Sequence, residues 1–236
     1  MRLKWEGQTI QWFLDAGAYT GFHRKLAQRI IPYLKPEDSL CDAGCGIGRL
    51  DLELAPYVSG ITAVDINENA IDVLRRDAAA LGLHNLRAEI RDAEDLTEPF
   101  DVVLLSFFGQ SNMFEFMKLC RRRLIRIVDA CNVSKLYPER YKEYMKDTVP
   151  VVAGQLEAKG ISYKLESAAL EFGQPLRSLQ DAEAYVVNNA PEAGSSEVSE
   201  FLSENLAQTG RDDFPFYLPN KKELGIFIID KHSCNQ

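Results

Sequence analysis

The chain of 236 residues predicts an α/β fold, a mainly parallel sheet with helices on both faces. Three observations carry this. Short apolar runs read as buried strands. Helical stretches alternate with them in a regular order. A hydrophobic fraction of 46% is enough for the core of one such domain.

The elements follow in order. From Trp5 to Leu34 the spacing of Trp12, Phe13, Ala16, Phe22, Leu26 and Ile30 is helical, and Pro32 and Pro36 fall near its end. Ser39 opens the first strand, which ends at the acidic Asp42 and is followed by a glycine loop and helix-forming Arg49–Ala55. Gly60–Asp65 is the second strand, leading into a helix over Glu68–Leu81. Leu86–Arg91 is the third strand, Pro99–Ser106 the fourth, and Asn112–Arg122 the helix after it. Leu124–Ala130 is the fifth strand. Pro138–Lys159 is a long helical stretch that Pro150 kinks or splits and Gly160 stops. Ile161–Phe172 is the sixth strand and Leu224–Asp230 the last. Between these two lie about 50 residues, more than a hairpin needs. That insertion, Gly173–Lys222, carries helix patterns at Ser178–Asn189 and Ser195–Gln208, with Pro191–Ser196 as a linker.

The loop after the first strand carries the chemistry. Asp42 is followed by Gly44, Gly46 and Gly48 at alternate positions. Glycines so placed let the backbone turn sharply and come close to a ligand. A dinucleotide site wants G-x-G-x-x-G, and here the third glycine falls one residue early. The plain alternative is a tight strand-to-helix turn with no ligand. Asp65 ends the second strand about 20 residues further on, the separation of an acid that binds ribose hydroxyls. Asp65 or Asn67 also suits the N-cap of the following helix.

These residues resemble the class I S-adenosylmethionine-dependent methyltransferases, whose first motif is an acidic residue, any residue, then G-x-G-x-G. The resemblance implies a Rossmann-like, seven-stranded, mostly parallel sheet with its last strand antiparallel beside the fifth. It also implies an N-terminal helical lid, to which the residues themselves add a helical insertion before the last strand. One methyltransferase domain over 1–236 would then divide into a lid at 1–35, a cofactor-binding core at 36–172, an insertion at 173–223 and a final strand at 224–231. The insertion would serve as substrate cap, dimer contact or structural flap.

By resemblance the cofactor is S-adenosylmethionine, with S-adenosylhomocysteine as product. Its binding residues would be Asp42, Gly44, Cys45, Gly46 and Gly48 in the loop, Asp65 at the ribose, and Ile66. Asp92 and Ala93 would meet adenine, and Ser106 would end the fourth strand facing the methyl group. Tyr19, between Gly17 and Gly21, is the lid residue, with Trp5, Trp12 and Phe22 as companions or as packing. Catalytic residues do not carry over in this way, because holding the nucleophile in line is the main task. His23 and Gln110 are the candidates, each with a structural alternative. No Asn-Pro-Pro-Tyr follows the fourth strand, which argues against a nucleic-acid amine or glutamine amide as acceptor. Phe107 and Phe108 would wall a substrate or fill the core, and Asp129, Asn132 and Tyr137 would face the pocket.

The expected activity is methyl transfer to a small molecule by in-line displacement. The alternatives are a silent cofactor-binding or partner-activating protein and a nicotinamide oxidoreductase, the latter opposed by the loop spacing. The net charge of -8 opposes a nucleic-acid partner. Arg121, Arg122, Arg123 and Arg126 read as cations at a helix C-terminus. Neither a leader nor a membrane-length apolar run is visible, which suggests a cytoplasmic protein, monomer or homodimer. Five scattered cysteines without a Cys-x-x-Cys pair, and three distant histidines, give no disulfide framework and no metal site.

Overall fold

The structure, a computed structural model, describes residues 5–109, 112–131, 135–142 and 147–231. In chain order it begins with α1 (Gly7–Thr20), α2 (Phe22–Ile30), β1 (Ser39–Ala43), α3 (Arg49–Leu54), β2 (Gly60–Asp65) and α4 (Glu68–Ala80). Next come β3 (Leu86–Ile90), β4 (Phe100–Ser106), α5 (Met113–Leu119), β5 (Cys120–Asp129), α6 (Val149–Glu157) and β6 (Lys164–Glu171). The chain closes with β7 (Gln174–Leu176), α7 (Leu179–Asn189), α8 (Ser195–Asn205), β8 (Ala207–Gln208), β9 (Phe216–Leu218) and β10 (Lys221–Asp230).

Seven strands form one sheet in the order β3-β2-β1-β4-β5-β10-β6. The pairs β2–β3, β1–β2, β1–β4 and β4–β5 are parallel, and β10 runs antiparallel to β5. This is the Rossmann-like sheet expected, with the last strand beside the fifth. The order reverses between β1 and β4, and open α/β sheets bind ligands at such a switch point, beyond the carboxyl ends of the strands. The middle of β4 is a continuous apolar run because both faces of the sheet are covered. In β4, Val102, Val103, Leu104 and Leu105 are all fully buried.

By its contacts the chain divides into two units. The second holds residues 23–131, 146–168 and 223–236. One of its core clusters packs Val103 and Leu105 of β4, Leu124 and Val128 of β5, Phe116 of α5, Leu156 of α6 and Phe227 of β10. The first unit holds residues 1–22, 132–145 and 169–222. Its own antiparallel sheet has the order β7-β9-β8. Its core gathers Trp12, Leu176, Tyr185, Val186, Leu202 and Leu218. The Trp12 indole N–H donates to Asp181 at 2.8 Å, and Tyr185 meets the Trp12 ring edge-on at 5.2 Å between centroids.

Several expectations are corrected. The N-terminal stretch is two helices, because Gly21 adopts the left-handed conformation (φ 64) and closes α1. Gly17 lies within α1. Trp12 and Phe22 are core residues of the first unit, Phe22 packing on Phe172 at 4.4 Å. α5 stops at Leu119, so Arg121, Arg122 and Arg123 stand on β5 and cap no helix. Arg122 pairs with Asp38, and Arg123 bonds Asp230 at 2.6 Å and the Tyr33 carbonyl at 2.9 Å. Among the described residues the Pro138–Lys159 stretch holds a short turn at Glu139–Tyr141 and α6, which starts around Pro150 because proline suits a first helical turn. The helix from Ser195 ends at Asn205, and Ala207–Gln208 pairs as a strand. Among the described residues no helix is long and apolar enough to cross a membrane.

Candidate functional site

The glycine loop lies at the switch point. Gly44 and Cys45 both donate their backbone N–H to the Val64 carbonyl, at 2.9 and 3.0 Å, drawing the loop over the end of β2. Gly44, Gly46 and Gly48 have φ of 76, 55 and 63. A Cβ on Gly44 would lie 2.1 Å from the Phe108 ring, and one on Gly48 would lie 2.3 Å from Leu74. Only glycine meets both demands, positive φ and close approach.

Asp65 is anchored to this loop. Its Oδ2 accepts the Gly46 N–H and its Oδ1 the Asn67 N–H, both at 2.9 Å. Each oxygen keeps a further lone pair, so the carboxylate can still receive two hydroxyls. Asn67, not Asp65, caps α4, accepting the Ala70 N–H at 3.1 Å. Ile66 beside it is exposed. Asp92 caps the short turn Ala93–Asp95 by accepting the Glu94 N–H at 3.0 Å, and Ala93 is buried in the core.

The strand next to β1 supplies the other wall. Ser106 ends β4, half-buried. Phe107 follows with φ 51, the one positive φ outside glycine among the described residues, and its N–H donates to Ile127 at 2.9 Å. Such strained backbone concentrates at functional sites. Phe108 lays its ring on Gly44 and meets Phe116 edge-on at 5.8 Å. Phe107, Phe108, Gly109, Val128, Asp129 and Asp147 line a recess of about 10 Å3.

Two buried polar groups here were missed by sequence reading. Arg126, in the middle of β5, is 1% exposed, pairs with Asp147 and donates to the Gly109 carbonyl at 3.4 Å. Burial pushes its guanidinium below its ordinary value, opposed by the Asp147 carboxylate. Asp51, in the first turn of α3, is fully buried, and burial with the Asp42 charge pushes its carboxyl well up. Burial is also the main force raising Asp42. The signal for both was a charge inside an apolar run, Leu-Asp-Leu and Ile-Arg-Ile-Val.

Cys45 is a thiol held neutral by burial and by Asp51, Asp42 and Asp65, which suits packing and not nucleophilic attack. His23 is half-buried in the first turn of α2. Tyr19 belongs to the first unit, stacked on Tyr217 at 5.0 Å with Arg211 over its ring at 5.2 Å. Tyr137 packs against the core of that unit. Gln110 and Asn132 lie outside the described residues. No group of three metal-ligating side chains occurs among the described residues.

An open parallel sheet with a glycine loop and a fixed acid at its switch point defines a nucleotide-type binding fold of the Rossmann kind. The chain matches the methyltransferase domain family over residues 34–166, more than half its length. It belongs to that family, the class I S-adenosylmethionine-dependent methyltransferases, whose cofactor is S-adenosylmethionine. The "Probable cobalt-precorrin-6B C(15)-methyltransferase (decarboxylating)" of Methanococcus maripaludis is 27% identical over 97 residues, 41% of this chain and 54% of that protein. The chain therefore spans about half the length of that relative. The "23S rRNA (uracil(1939)-C(5))-methyltransferase RlmD" of Marinomonas sp. is 29% identical over 101 residues, 42% of this chain and 21% of that one. The crystal structure of magnesium protoporphyrin IX methyltransferase (ChlM) from Synechocystis PCC 6803 with bound SAM superposes with a TM-score of 0.52 at 15% identity. It covers 88% of this chain and 79% of its own, a likeness of fold.

Proposed function

We propose that the chain holds S-adenosylmethionine over the Gly44–Gly48 loop and passes its methyl group to a small-molecule acceptor by in-line displacement. The observation that carries this reading is the loop itself: three glycines at positive φ, at the switch point, with Asp65 bonded to the middle one. The cofactor supplies an electrophilic methyl on a sulfonium. Asp65 would receive both ribose hydroxyls through its free lone pairs. Ile66 would cover the ribose, and Asp92 with Ala93 would meet the adenine edge. Gly44, Cys45, Gly46 and Gly48 would bring backbone close to the methionyl part, with Asp42 beneath. Ser106 and the Phe107–Gly109 segment would face the acceptor.

A small acceptor is supported by the net charge of -8, which repels a phosphate backbone. It is supported also by the names of the precorrin and protoporphyrin enzymes that the chain resembles. The RNA-modifying relative shares only 21% of its own length with this chain. Calorimetric titration with S-adenosylhomocysteine, with NADH as control, tests the cofactor. Binding of the first alone is expected, and NADH binding instead overturns the reading. A screen of metabolites with radiolabelled methyl donor then tests the acceptor. Cofactor binding without label transfer to any acceptor would favour a silent, partner-activating protein.

A further inference from the structure

Beneath the glycine loop two carboxyls meet, and among the described residues neither forms an ion pair. Asp42, near the end of β1, is 2% exposed, and Asp51 in α3 is fully buried. Among the described residues, Asp42 Oδ1 and both Asp51 carboxyl oxygens have no donor within hydrogen-bond geometry. The two carboxyls are close enough to act on each other. Carboxylates only accept, so a hydrogen bond between these two exists only when one holds a proton. The other titratable groups facing the pair are Asp65 at the end of β2, Cys41 in β1 and Cys45 in the loop. None of them brings positive charge. Arg49, two residues before Asp51, is turned to Asp77 at 3.1 Å. Two ionised carboxylates buried without a counterion are avoided in proteins, and retaining a proton is the usual remedy.

We propose that Asp42 and Asp51 share one proton in the ligand-free protein at neutral pH, and that a cationic cofactor arriving over Gly44–Gly48 expels it to solvent. This rests on the loading of S-adenosylmethionine described above. The ammonium and sulfonium of that ligand are positive, and positive charge near the pair favours its doubly ionised form. One carboxyl O–H bond breaks, the proton passes to buffer, and nothing is oxidised or reduced. Linkage is reciprocal: if the ligand expels a proton, a rise in pH tightens the ligand. With one proton released, affinity rises about tenfold per pH unit until the free pair is itself ionised, and is level above that. Asp51 is then a positioning residue that acts through Asp42.

Two measurements on the whole chain decide this. Infrared spectroscopy of the ligand-free protein at neutral pH is expected to show a carboxylic-acid carbonyl band that shifts in heavy water and is lost in Asp51→Asn. Asp51→Thr, which also offers Asp42 a donor, serves as a second variant if the amide folds poorly. A wild-type spectrum in which no such band depends on residue 51 overturns the shared proton. Calorimetry with S-adenosylmethionine, in buffers of different ionisation enthalpy, is expected to show proton release by the wild type and none by Asp51→Asn. Wild-type binding without proton release overturns the linkage. A chain that does not bind this probe overturns the linkage and the functional reading together, while the infrared band still decides the shared proton.

Discussion

Asp65 ties the glycine loop to the second strand: its Oδ2 accepts the Gly46 N–H at 2.9 Å while its Oδ1 accepts the Asn67 N–H at the same distance. The acid is therefore fixed before any ligand arrives, and a ligand bound to it pays no ordering cost for that side chain. Asp65→Ala is expected to weaken S-adenosylhomocysteine binding by about 1–3 kcal/mol, since it leaves polar groups unpaired. Asp65→Asn is expected to do little better, because its amide cannot accept from both backbone N–H groups. Titration calorimetry measures both. An unchanged affinity in Asp65→Ala would remove this residue from the site.

Gly44 and Phe108 form a second coupled pair. An added Cβ at Gly44 lies 2.1 Å from the ring of Phe108, and its φ of 76 disfavours any side chain. Gly44→Ala is expected to destabilise by about 1–3 kcal/mol through overpacking, with backbone strain added. Combining it with Phe108→Ala relieves the clash but not the strain. The double-mutant cycle in urea is expected to give a coupling of about 0.5–3 kcal/mol. Strict additivity would mean that the ring does not rest on the loop.

What was legible in the sequence was local. β1, its glycines, β2 and Asp65 could be placed because buried-strand runs and glycine spacing lie within about 30 residues of chain. β7, β8 and β9 were not legible, since strands of two or three residues show no period of two. They form because Trp12 and helices α7 and α8 give them a core, which is tertiary information. Arg121–Arg123 misled for a similar reason: three adjacent arginines resemble a helix end, and only their partners Asp38 and Asp230, far off in sequence, show a strand. Asp51 drew no reading and Arg126 read as a cation at a helix C-terminus, because burial is tertiary information.

Arg126 and Asp147 join β5 to the start of α6 and hold the Gly109 carbonyl. Removing one partner of a buried ion pair strands the other charge. Asp147→Asn is expected to cost about 3–5 kcal/mol of stability, whereas an apolar pair such as Arg126→Met with Asp147→Leu is expected to recover most of that. Urea denaturation compares them. A double variant no more stable than Asp147→Asn would show that the pair is needed for more than mutual neutralisation.

The raised carboxyls of Asp42 and Asp51 also set how stability depends on pH. Both are pushed above their unfolded value, chiefly by burial. The native state then binds more protons than the unfolded chain across the window above the ordinary carboxylate range. Stability is at its fullest below that window and falls as pH rises through it, up to the raised native values. Each pH unit at a full one-proton difference costs about 1.4 kcal/mol. Asp51→Asn removes one titrating group and gives Asp42 a neutral donor, so its stability is expected to change less between about pH 5 and 8 than the wild type's. Urea midpoints across that range test the slope. Parallel curves for the two proteins would show that Asp51 carries no proton in the fold, and a steeper fall in the variant would show that the amide raises Asp42 further.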